Sequence, residues 1–143
     1  MSVGALEILR CATVIAEAAH GEANFRSAIS RSYYAAYHAA HAWHRALPVP
    51  GRANGRGDRH ETLVSQLYHP GIRCGHPLYG RSIALARMLN RGRVLRLQAD
   101  YRIGGEIDRA QMRRALANNA RIVIRCQEQL DDMGDAMPDA LAT

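Results

Sequence analysis

From Glu22 to Leu47 the chain runs 26 residues with no glycine and no proline. That is far longer than a strand in an ordinary domain, which spans about 5–6 residues. Phe25, Ile29, Ser32, Ala36, Ala39 and Trp43 recur along it at intervals of three and four, the repeat of one helix face. The pattern predicts a helix over about Ala23–Ala46. A helix of that length must bury its inward stripe against other elements, so the nature of those elements decides the fold class.

The remaining segments also read as helices. Leu6, Leu9, Thr13 and Ala16 predict a first helix over about Val3–Ala19, broken at Gly21. Leu47 to Asp58 holds two prolines, three glycines and an asparagine, which makes it a loop. Asp58 is placed to cap a short helix over about Arg59–Tyr68, which Pro70-Gly71 stops. Ile83, Leu85, Ala86, Leu89 and Leu97 predict a helix over about Gly80–Asp100 with Gly92 as its weak point. After the Gly104-Gly105 turn, Asp108 is the expected N-cap of a last helix over about Arg109–Asp131, with Met112, Leu116, Ala120, Val123 and Gln127 inward. No strand alternation and no repeat occurs. The expected fold is all-α: an antiparallel up-and-down bundle of four long helices plus a short extra one. At 143 residues the chain suits one domain, taken as 1–132, with a frayed acidic tail over 133–143.

Composition narrows the chemistry. No apolar run reaches the roughly 20 residues of a membrane span, and Glu7 and Arg10 interrupt the N-terminal apolar stretch. The expectation is a cytoplasmic protein with no membrane partner. All 19 basic residues are arginine, which excludes a Schiff-base lysine and a P-loop lysine. Residues 51–100 carry nine arginines against three acids, whereas the flanking thirds are near balance. Arginine-only basic character suits bidentate phosphate binding; an arginine-rich codon bias accounts for the missing lysine but not for the clustering. Cys11, Cys74 and Cys126 form no disulfide framework, and Cys11 and Cys126 are expected to pack as small apolar groups. His69, Cys74 and His76 match no common zinc spacing, so neither metal nor cofactor is expected.

The chemistry-bearing stretch is the middle of the long helix. Arg31 and His38, seven apart, share a face about 10 Å apart in rise. Tyr34, His41 and Arg45 fall on the same face. Spacing alone leaves two options open, a polar face in water or at a subunit contact, and a catalytic stripe. Tyr33 and Tyr37 are expected in the core or at a dimer contact. Arg52, Arg56 and Arg59 lie in or beside the Gly-rich loop, as a solvated loop or as a flexible phosphate clamp. No helix-turn-helix pattern precedes the arginine-rich segment, which argues against a DNA-binding helical protein.

Ser30-Arg-Ser-Tyr-Tyr-Ala-Ala-Tyr-His-Ala-Ala40 closely resembles the signature helix of HEPN domains (higher eukaryotes and prokaryotes nucleotide-binding), in their small stand-alone prokaryotic branch. Gly21–Ala28, His60 at the head of the short helix, and Arg96-Leu-Gln-Ala-Asp-Tyr101 resemble further parts of that family, over about residues 5–130. The resemblance implies a dimerising helical bundle. It also implies a metal-independent ribonuclease, a toxin or defence component, in which an arginine and a histidine separated by four to six intervening residues carry the chemistry; here these are Arg31 and His38, which enclose six. Histidine titrates near 6.5 and is suited to acid–base work, and arginine neutralises charge growing on phosphorane oxygens. The products implied are a 2′,3′-cyclic phosphate and a 5′-hydroxyl. The implied partners are RNA, a second copy, and a minimal nucleotidyltransferase acting as antitoxin. Nuclease members often carry Asn, Asp or His after the arginine, where Ser32 stands here. The alternative is a non-catalytic module that binds nucleotide or RNA or scaffolds such a partner, with Arg31 paired to Asp100. His60, Arg96, Asp100 and Tyr101 form a second cluster expected to converge near Arg31, either as part of the site or as a buried polar network.

Overall fold

The Gly- and Pro-free segment forms α2 (Glu22–Arg45), and the other helices are arranged around it. The computed structural model describes residues 4–141, with side chains over 4–132. Along the chain come α1 (Ala5–Glu17), α2, α3 (Arg59–Tyr68), α4 (Pro77–Tyr101) and α5 (Arg109–Leu141). No strand occurs among the described residues. The fold is all-helical: α1, α4 and α5 pack on α2, and α3 lies mainly against α4. The tail over 133–143, expected to fray, lies outside the residues whose side chains are described.

Local chemistry sets the helix ends. Asp58 caps α3, its carboxylate accepting from the N–H groups of His60 (3.0 Å) and Glu61 (2.9 Å). Asp108 and Gln111 form a reciprocal box at the head of α5, each side chain accepting from the other's backbone N–H at 2.8 Å. α4 begins at Pro77, three residues before the expected Gly80. A first-turn proline gives up only an N–H that the helix does not use, and His76 Nδ1 accepts from the Leu78 N–H at 3.0 Å.

α1 is turned relative to expectation. Ala12 is its buried residue, with Ala5, Ile8, Leu9, Ile15 and Ala16 partly buried beside it, while Leu6 and Thr13 are exposed. α1 carries apolar residues on more than one side, so its periodicity alone did not choose the inward face. The same rotation leaves Cys11 exposed, against expectation. Cys126 is buried, and desolvation pushes its thiol up to about 12.

The core reads across α2. Tyr33, Ala36, Tyr37, Ala40 and Trp43 meet Leu63 and Leu67 of α3, Leu89 of α4 and Ile122 of α5. Ala28 and Ile29 meet Ala99, Ile107, Met112 and Ala115 at the other end. The expected α2 stripe faces inward as read. Gly92 is no break in α4: a Cβ there would lie 2.5 Å from Asn119 Oδ1. Its bare backbone lets α4 and α5 approach closely. Asn119 in turn donates to the Ser32 hydroxyl at 2.9 Å, and Asn118 donates to the Met88 carbonyl at 3.1 Å.

Arg26, which the sequence did not single out, fastens the start of α2 to the end of α4. It donates to the carbonyls of Gln98 and Ala99 at 3.0 Å each, to that of Gly105, and to Glu22 at 2.7 Å. A cation among the last carbonyls of a helix satisfies groups the helix itself leaves open.

Two outcomes follow for urea unfolding of the full chain. Arg26→Ala lowers stability by about 1–3 kcal/mol, because part-buried helix-end carbonyls lose a charged donor. Gly92→Ala also destabilises, by about 1–2 kcal/mol, since overpacking outweighs the gain in helix propensity; a more stable Gly92→Ala protein contradicts the close approach.

Candidate active site

Three helices bring their polar residues to one side of α2. α2 supplies Ser30, Tyr33, Tyr34, Tyr37, His38 and His41; the first turn of α3 supplies Arg59 and His60; the last turns of α4 supply Arg96, Asp100 and Tyr101. Of the second cluster, His60 is buried and Arg96 and Asp100 are half-buried beside α2, while Tyr101 is exposed; none of the four contacts the Arg31 side chain through a hydrogen bond or ion pair.

Asp100 anchors the cluster. Its Oδ2 accepts from the Ser30 hydroxyl at 3.1 Å and lies 2.8 Å from Arg96 Nε. The Arg96 Nε–H is not aligned on the carboxylate, so this contact is an ion pair and not a directed hydrogen bond. The Arg96 guanidinium carbon stands 5.9 Å from the Tyr33 ring centre, 6.0 Å from that of Tyr34 and 5.6 Å from that of Tyr101. One desolvated cation is thus held by three aromatic faces and one carboxylate. Asp100 is taken by Arg96 and Ser30; no Arg31–Asp100 ion pair forms.

His60 is buried. Its Nδ1 is 3.0 Å from the Tyr33 hydroxyl, and its ring centre is 4.5 Å from that of Tyr37. Burial first, and then the Arg96 charge, lowers its pKa from the ordinary 6.5. Burial pushes the Tyr33 phenol well above its ordinary range, so its hydroxyl keeps its proton and can donate to His60 Nδ1. Tyr33 and Tyr37 are core residues.

Outside this buried layer lies the exposed strip of α2. Arg31, His38, His41 and Arg45 are exposed, and Tyr34 is half-buried. The His38 ring lies 6.1 Å from Tyr34 and 5.7 Å from Tyr37, and His41 stacks on Tyr37 at 6.0 Å. None of Arg31, His38, His41 and Arg45 makes a side-chain hydrogen bond or ion pair among the described residues. Arg59 joins them, 5.9 Å over the Tyr37 ring. Arg52 and Arg56 are exposed but do not join: the Arg52 N–H binds the His69 carbonyl at 2.9 Å, and Arg56 lines a separate cleft with Glu61, Tyr68 and Arg93. Among the described residues, no group of three His, Cys, Asp or Glu side chains is placed to hold a metal ion.

His44 was not singled out from sequence. It is buried at the end of α2, where its Nε2 accepts from the Gly51 N–H at 2.9 Å and ties down the loop before α3. Burial, then the neighbouring His41, lowers its pKa from 6.5. A histidine three residues before a glycine-rich loop was the available signal, but only the fold shows which nitrogen the loop engages.

No family model, no curated protein and no solved structure matches this chain. No helix among the described residues is long and apolar enough to cross a membrane.

His44 and His60 both bind their proton less readily folded than at the ordinary 6.5. Below that value the unfolded chain takes up more protons than the folded one, so stability falls as pH falls. The urea midpoint at about pH 5 is therefore expected below that at about pH 7.5; a midpoint that holds or rises contradicts the neutral buried imidazoles.

Proposed function

We propose that the chain is a HEPN-like endoribonuclease that works without metal, with Arg31 and His38 as its catalytic residues. The observation that carries this reading is their availability. Both stand exposed on one face of α2 with no partner among the described residues, while the nearby carboxylate, Asp100, is occupied by Arg96 and Ser30.

The chemistry suits that pair. RNA carries its own nucleophile, so no metal-bound water is needed. A neutral His38 takes the proton of the 2′-hydroxyl as its oxygen attacks phosphorus. The bond from phosphorus to the 5′-oxygen breaks, and a protonated histidine returns a proton to that leaving oxygen. Arg31 neutralises the charge on the non-bridging oxygens. The products are a 2′,3′-cyclic phosphate and a 5′-hydroxyl end. A homodimer with two such faces meeting supplies an acid and a base together. Tyr34, His41, Arg45 and Arg59 border the pair and serve to position RNA. In a cell this activity suits a cytoplasmic toxin or defence nuclease, held in check by a minimal nucleotidyltransferase antitoxin.

A second reading is a non-catalytic module that binds RNA or nucleotide, or scaffolds a nucleotidyltransferase-type partner. The internal engagement of His60, Arg96 and Asp100 favours it, since each protomer then offers few free groups for chemistry.

Incubating the purified chain with total RNA in EDTA separates the two. On the nuclease reading the native protein cuts and leaves cyclic phosphate ends, and His38→Ala and Arg31→Ala each lower cleavage by about 100-fold or more while staying folded. RNA left intact by the native protein, or cut equally by all three, overturns it.

A further inference from the structure

The bundle carries a second basic surface, built on α4 and α5 and not on α2. Asn118 of α5 bonds the backbone of Met88 in α4. Arg114, Arg121 and Arg125 stand four before, three after and seven after Asn118, so all three share its stripe. On α4, Arg87 and Arg91 stand one before and three after Met88, turned outward from buried Leu85 and Leu89. Arg81 and Arg125 face each other across the α4–α5 groove, lining one cleft together with Met88.

All six arginines are exposed, and none forms an ion pair among the described residues. The charge is uncompensated along most of the face. No acid occurs from Pro77 to Ala99 or from Arg109 to Gln127. Glu128 and Asp132 close the groove only at its Arg81–Arg125 end. Arg93 and Arg96, which share α4, point elsewhere, to Glu61 and to Asp100.

Two rows of guanidinium groups, each spaced by a helix, are suited to phosphate, which arginine grips bidentately. The face lacks aromatic anchors of the kind that centre a protein interface. Residues 109–132 contain no aromatic residue, and the only aromatics of α4, Tyr79 and Tyr101, stand at its ends. Single strands are held by stacking their bases on aromatic rings, and this face offers no such platform. A duplex keeps its bases stacked inside and presents two phosphate rows.

We infer that the outer face of α4 and α5 docks the phosphate backbone of double-stranded RNA, with Arg87, Arg91, Arg114 and Arg121 as its central contacts. That the duplex is RNA rests on the proposed function. The face holds a helical stem without reading its sequence, on a surface other than the one that carries Arg31 and His38.

The test is fluorescence anisotropy on the full chain with a perfect RNA duplex, an oligo-uridine strand of equal length, and a salt series. The variants are the triple Arg87→Gln/Arg91→Gln/Arg121→Gln, with retention of fold checked by circular dichroism, and His38→Ala. The native protein is expected to prefer the duplex. The triple variant is expected to lose about tenfold or more in affinity, with the slope of log K against log salt smaller by roughly three; His38→Ala is expected to bind the duplex as the native protein does. A triple variant with unchanged affinity and slope overturns the inference, as does tighter binding of the single strand, or displacement of the duplex by polyglutamate at matched charge. A DNA duplex bound tenfold more tightly than RNA overturns the assignment to RNA. Absence of cleavage together with loss of duplex binding in the triple variant removes the nuclease reading and leaves the docking face standing.

Discussion

Contact between α2, α4 and α5 at Gly92, Asn119 and Ser32 is the constraint on which the rest depends. Gly92 leaves room for the Asn119 carboxamide, and Asn119 reaches past it to the Ser32 hydroxyl. Ser32 in turn donates to the Ile29 carbonyl at 2.9 Å. A buried polar group is tolerated only when its hydrogen bonds are met, so this chain of bonds fixes how far α5 slides along α2. The alanines of α2 then allow close packing on both sides. With the core side of α2 fixed in this way, the opposite side of the helix is left to solvent.

A second partition runs through the polar residues themselves. Arg96 and Asp100 pair as ions and Tyr33 and His60 pair through a hydrogen bond within the bundle, and this withdraws them from direct work on an external ligand. Their contribution is to hold the floor on which Tyr34 and Tyr37 stand, beside His38 and His41. Arg26 performs a similar structural service at the same end of α4, where it donates to the carbonyls of Gln98 and Ala99. In a chain whose only cations are arginines, some guanidinium groups become internal fastenings and others remain for phosphate. Burial and available carboxylates separate the two sets.

The helices, their order and most of their ends were legible in the sequence. The absence of breakers from Glu22 to Leu47, the punctuation by Gly and Pro, and the caps at Asp58 and Asp108 are local effects, decided within a few residues. The inward stripe of α2 was legible because its opposite side is polar. The inward side of α1 was half legible: Leu9 and Ala16 pack on the core as expected, but Leu6 and Thr13 do not, because both sides of the helix carry apolar residues. The start of α4 was less legible, because a proline can close a loop or open a helix, and Pro77 opens this one.

The sequence alone determined an all-helical chain with one tyrosine- and histidine-bearing helix face and an arginine excess in its middle third. Only the tertiary structure decided which of those residues face water. Arg31 and His38 stay outside because α1, α4 and α5 cover other sides of α2, while His60 goes in because α3 swings it against Tyr33. The gathering of α4 and α5 arginines into one face was likewise invisible in the sequence. Those residues are separated by as many as 44 positions, from Arg81 to Arg125. Their proximity follows from the antiparallel register set by Asn118 and Gly92 and from no local propensity.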